Sequence, residues 1–237
     1  MHMEWRTFYL DVTLIPLGLL INLTYHVWLW HKVRTQAPLT IFGVDADGRR
    51  LWIPAIIKDI EKKSIVAVQS VRNLMMGSIF MANTSILLCC GLGAVISSTC
   101  RVRKPFIDSV YEAHGEFVVA LKYATIFTIF LFSFLFHSLS VRFLSQLSIL
   151  ICSPQHVITL VTPEYLTDLL RKATILNFLG NRLSHTGLFL LLWIFGPVMA
   201  FSCSVAMLLV LHKMDFVAGK QNMNVGIHQG SDIHLQI

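Results

Sequence analysis

The chain has 237 residues, 55% hydrophobic and only 14% charged, with a mean hydropathy of +0.66 and a formal net charge of +6. Soluble domains average about 25% charged residues, so the composition excludes an ordinary soluble domain. The basic excess calls for no nucleic-acid partner, because Lys and Arg beside membrane spans are drawn to anionic lipids.

In chain order, the first of four uncharged stretches is 12–30, VTLIPLGLLINLTYHVWLW. A span needs about 20 apolar residues to cross about 30 Å of hydrocarbon, and this one suffices. It is too long for a cleaved signal, its basic residues follow rather than precede it, and no A-x-A site comes after it. Trp5, Tyr9, Trp28 and Trp30 flank it, where rings with one polar edge settle at headgroup level. It also carries Asn22, Thr24, Tyr25 and His26.

Residues 34–57 read as a connection with turn chemistry at Asp45-Ala46-Asp47-Gly48. The resemblance to a calcium loop fails, because the twelfth position is Ile56 rather than Glu. From Lys58 an unbroken helical pattern leads into span two, 74–98, so this helix is expected to extend beyond the membrane. Span two holds Asn83, Thr84 and Ser85 side by side. Met76, Asn83 and Thr84 share a helical face that mixes small, polar and soft residues, a face suited either to a pore wall or to close helix packing. Interhelical hydrogen bonding, such as Asn22 to Asn83 inside one subunit, is the plainer expectation for the polar side chains of the spans, and the two amides, with several donor and acceptor positions each, are the stronger candidates for contact with water.

Span three, 123–141, carries Thr125, Thr128, Ser133, His137, Ser138 and Ser140, and its helix runs on towards Ile149. Residues 163–179 form an amphipathic helix with Thr162 as cap, Pro163 at its first position and Gly180 as stop. Span four is expected at 186–211, and the polar tail 218–237 as disordered, leaving 1–217 as one membrane domain. Lys and Arg split twelve to seven in favour of the 1–2 and 3–4 connections. The excess of cations places those connections in the cytosol and both termini in the lumen. Five cysteines without C-x-x-C or Cys/His spacing read as packed thiols.

Four stretches, MEWRTFYLDVTLIPLGLLINLTYHVWLW, GRRLWIPA, AHGEFVVALKY and LLLWIFGPV, resemble the plant family known as domain of unknown function 599. The likeness runs from Met3 to about Val217 and implies a small multispanning membrane protein without a catalytic motif. A further likeness, to an oligomeric cation-permeable channel of the plant endoplasmic reticulum, implies a homo-oligomer there and a role in defence signalling.

No G-x-S-x-G or H-E-x-x-H pattern occurs and the histidines are scattered, which speaks against an enzyme. Pro16, Gly18 and Gly196-Pro197 are breaks of the kind transporters use, but four spans are few for a carrier. The reading is therefore an all-α homo-oligomeric channel, with no cofactor or metal site and with calcium as the permeant cation. Asn83, Thr84, Met76 and Asn22 are its pore-lining candidates. Glu112, Glu116 and Asp11 are its cation-attracting candidates, since rings of carboxylates concentrate cations at a pore mouth. The alternative is a non-conducting tetraspan scaffold.

Overall fold

The computed structural model describes residues 2–102, 110–153 and 162–216. Among them are six α-helices and no strand: α1 (His2–Thr35), α2 (Ile41–Ile57), α3 (Ile60–Val102), α4 (Val110–Cys152), α5 (Pro163–Leu191) and α6 (Pro197–Asp215). Four helical segments are long and apolar enough to cross a membrane: Tyr9–Thr35, Lys62–Ser98, Val119–Cys152 and Pro197–Asp215. The chain is an integral membrane protein. The tail 218–237 lies outside the described residues.

Two segments differ from their expected form. The Asp45–Gly48 stretch is helical, inside α2. Thr40 sits in extended conformation and its Oγ1 accepts the Gly43 N–H at 3.2 Å, starting the helix. Ile53 and Ile56 are then buried against α3, α4 and α5. Burying two such side chains outweighs the roughly 1 kcal/mol that Gly48 costs in a helix.

The second difference concerns α5. Its start follows the sequence signals, with Thr162 extended, its Oγ1 accepting the Tyr165 N–H at 3.2 Å, and Pro163 in the first turn. Gly180 does not stop it. The helix runs eleven residues further, to Leu191, because Gly180 serves close packing instead: a Cβ there would stand 2.7 Å from His137 Nε2. The actual break falls within the expected fourth span, at a 3-10 turn Leu192–Ile194 followed by Gly196 at φ 154°. Pro197 lacks the N–H that would continue the first helix and opens α6 with its preset φ.

Helices α3 and α4 have 43 residues each, about 64 Å long and so about twice the hydrocarbon thickness. They run antiparallel, with Ser85 meeting Ser133 and Cys89 meeting Phe127. α5 lies antiparallel to α4, with Ser140 meeting Ala173 and Gly187 meeting Phe130. This three-helix trunk holds two apolar clusters. At one end, here the near end, Ile53, Val71, Leu147, Leu166 and Leu170 come from α2 to α5 alone. At the far end, Ile15, Cys89, Ile126, Phe189, Trp193 and Ala200 bring in α1 and α6.

The α1–α6 pair runs parallel. Asp11 lies at Trp193, Gly18 at Ser204, Tyr25 at Asp215 and Trp28 at His212. Both termini on one membrane face would require these helices to be antiparallel. Since α5 joins the near end of α4 to the far end of α6, it makes a fifth pass through the bundle. The start of α1 and the end of α6 therefore lie at opposite ends of the α1–α6 pair, with the end of α6 at the level of Arg182.

Candidate functional site

Between the two apolar clusters lies a layer of buried polar side chains. Ser133 is its centre, at 3.1 Å from Ser85 Oγ, 2.6 Å from Ser184 Oγ and 3.1 Å from the Gly180 carbonyl. Ser78 donates to Asn177 Oδ1 at 3.1 Å, and Ser140 donates to the Ala173 carbonyl at 2.8 Å. His137 packs onto Gly180 beside them. Small side chains on both sides of the α4–α5 seam (Ser133, Ser140, Gly180, Ser184, Gly187) let the backbones approach, as helix pairs in lipid require.

Charged groups fasten the α1–α6 pair to this trunk at both ends. At the far end, Lys122 Nζ donates to Asp11 Oδ2 at 2.7 Å, and Trp193 Nε1 donates to Asp11 Oδ1 at 2.9 Å. The Lys122 ammonium also lies 4.9 Å from the Trp193 ring centre. At the level of the polar layer, where Arg182 stands between Gly180 and Ser184 on α5, Arg182 is ion-paired with Asp215, both buried. Tyr25 donates to the other Asp215 oxygen at 2.7 Å, and the Phe178 and Phe42 rings lie against the guanidinium. Desolvated charges persist only where paired; Asp11 and Asp215 are each held by a cation and a second donor, while Arg182 is paired through Nη2 and its Nη1 is buried without a hydrogen-bond partner among the described residues.

The sequence candidates are distributed unequally over this geometry. Ser85 points inward to Ser133, whereas its neighbours Asn83 and Thr84 face outward from the subunit. Thr84 donates back to the Phe80 carbonyl at 2.9 Å, while the Asn83 amide makes no hydrogen bond among the described residues. Met76 faces the same way and is 60% exposed. The Asn22–Asn83 pair does not form: Asn22 is buried on α1 with Oδ1 unpartnered, and Asn83 points away from it. Asp11 is no free carboxylate, because Lys122 and Trp193 take both of its oxygens. The side chains of Glu112 and Glu116 lie outside the described residues.

Exposed positions on α3 recur every seventh residue, as Met76, Asn83, Cys90 and as Gly77, Thr84, Gly91. Any helical face recurs at about that period, and the same face also carries Phe80 and Leu87, 69% and 72% exposed. Among the described residues, nothing beyond the helix's own backbone and the adjacent residues lies within 4 Å of a Cβ built at Gly77 or Gly91, so packing within the chain does not require glycine at either position. A glycine inside a helix costs about 1 kcal/mol against Ala. No group of three or more His, Cys, Asp or Glu capable of holding a metal occurs among the described residues.

Residues 13–220 match the model of a family described as protein of unknown function, DUF599. No curated protein and no solved structure matches the chain.

Proposed function

We infer that this chain, which belongs to the DUF599 family, assembles with copies of itself into a cation channel whose water path runs along the outward polar face of α3. The observation that carries the reading is the orientation of Asn83: an exposed amide midway along a span whose polar neighbour Ser85 is fully used inside the subunit. An amide left in hydrocarbon without partners costs several kcal/mol. A second copy, water, or both in turn along the face remove that cost. Gly77 and Gly91, with Phe80 and Leu87 exposed beside them, supply the subunit contact, and Asn83 and Thr84 supply the wetted wall.

The buried polar layer favours a path between subunits over one within each subunit, because its serines already bond to neighbouring helices. Asn22, buried on α1, is accordingly dropped from the pore wall, and Met76 is kept at the edge of the α3 face. Cation selectivity rests on Glu112 and Glu116 at the far end, and calcium is the permeant ion that rings of paired carboxylates favour. A plant endoplasmic-reticulum membrane and a part in defence signalling follow from the likeness to the channel WeiTsing.

The five-pass arrangement sharpens the orientation. With the end of α6 directed towards the near end, Lys213 and Lys220 join the other near-end connections, and Lys and Arg divide fourteen to five instead of twelve to seven. The near end is cytosolic on this count, so the first residues are luminal and the C-terminal tail cytosolic. The near-end overhang of α2 to α5 then forms a cytosolic stalk.

Purified protein in liposomes tests the reading. Wild-type protein should admit calcium ahead of chloride, and Asn83→Leu should abolish flux at unchanged oligomer size, since a ring of Leu favours dewetting. An oligomer without flux would establish the scaffold instead.

A further inference from the structure

Around the Arg182–Asp215 pair, three nitrogens have no hydrogen-bond partner among the described residues: Arg182 Nη1, His26 Nδ1 and His185 Nδ1, all buried. They come from two helices, α1 and α5: His26 adjoins Tyr25, which donates to Asp215, and His185 stands one helical turn from Arg182. His26 lies edge-on to Tyr25 at 5.5 Å between ring centres, and both imidazoles lie within electrostatic reach of Arg182 and Asp215. The remaining groups facing the cluster are the Phe42 ring of α2, His137 of α4 against Gly180, and His212 of α6 beyond the Trp28 ring. The pair and its tyrosine leave the cluster neutral only while both histidines are neutral. Ionisable groups at such depth mark ion or proton sites more often than plain scaffolding.

We propose that His26 and His185 form a proton-binding site within the bundle, and that protonating it releases the attachment of α1 and α6 to α5 at Arg182. One added proton brings a second cation beside Arg182 in a dry environment and sets the two to compete for the single Asp215 carboxylate. The attachment at the far end, Asp11–Lys122–Trp193, contains no histidine. Acid therefore loosens one end of the α1–α6 pair and leaves the other fixed, so the pair pivots. The sign follows from charge: each added proton is a second cation beside Arg182 with one carboxylate to share, whereas water solvates it in the released form, so the released form gains as pH falls below about 6.5, the ordinary imidazole value. Each histidine contributes up to about a tenfold shift one pH unit lower. This site is independent of whether the assembly conducts.

The test uses full-length protein with its five native cysteines changed to Ala and with Ser204→Cys as reporter. Ser204 is buried on α6 against Gly18 of α1, where only loosening of the pair exposes it. Maleimide labelling is followed at pH 7.5 and 5.5, with and without His26→Gln and His185→Gln, and rates are compared between backgrounds at equal pH to cancel thiol ionisation. The rate in the native-histidine background, relative to the double variant, should rise about tenfold or more at pH 5.5, and each single variant should lose part of that rise. If the double variant does not fold, the two single variants carry the comparison. An unchanged ratio at the two pH values, or an equal response with the histidines removed, overturns the proposal.

Discussion

At the residue scale, three consecutive polar side chains of α3 divide into two kinds. Ser85 bonds Ser133 across the α3–α4 seam, while Asn83 and Thr84 face away. Ser133→Ala should lower the unfolding free energy by about 1–2 kcal/mol, since three interhelical contacts converge on it at about 0.6 kcal/mol each. Thr84→Ala, measured in the same detergent melt, should leave it unchanged. Gly187→Ala should cost about 1–3 kcal/mol through overpacking, because its Cβ would stand 2.9 Å from Phe130 Cζ. Gly77→Ala should leave each subunit at least as stable and weaken the oligomer, which size-exclusion chromatography with light scattering resolves. The sequence revealed which residues share a face of α3 but not which face the other helices cover. Periodicity fixes angular neighbours, whereas burial depends on a partner 48 positions away. Asp11 was misread as a free acid for the same reason: Lys122 is 111 residues distant and Trp193 182.

At the scale of the element, α5 carries the largest difference between pattern and fold. Asn177, Asn181, Arg182 and His185 depress its hydropathy below that of a span, yet it passes through the bundle. Asn177 and Arg182 are met by Ser78 and Asp215 of other helices, and no single-helix measure registers such compensation. The four apolar spans, the long α3 and α4, and the Thr162 cap were legible because each rests on local chemistry. Asp215→Ala leaves Arg182 buried and uncompensated and should destabilise by about 3–5 kcal/mol, whereas Arg182→Met with Asp215→Leu should recover most of that loss. Thermal melts of the three proteins decide it. The parallel packing of α1 and α6 makes a topological prediction as well. In intact microsomes, protease should remove both a tag inserted between Asp47 and Gly48 and a tag after Ile237, and should spare one before Met1. A protected C-terminal tag would return the chain to an even number of passes.

At the scale of the whole molecule, the serines of the buried polar layer bond across helix seams within the chain. What each subunit offers is an outward stripe, Met76, Asn83, Cys90 beside Gly77, Thr84, Gly91, long enough to serve copies of the chain around a shared axis. The central claim is that Asn83 faces water in that assembly. Current through Asn83→Cys channels, in a background with Cys90 and the other native cysteines changed to Ala, tests it during exposure to a cationic methanethiosulfonate reagent. The account predicts that the single-channel current falls as the charge attaches, while protein without the introduced cysteine is unaffected. Unaltered current after chemically verified modification of Asn83→Cys would place that residue outside the water path and contradict the account.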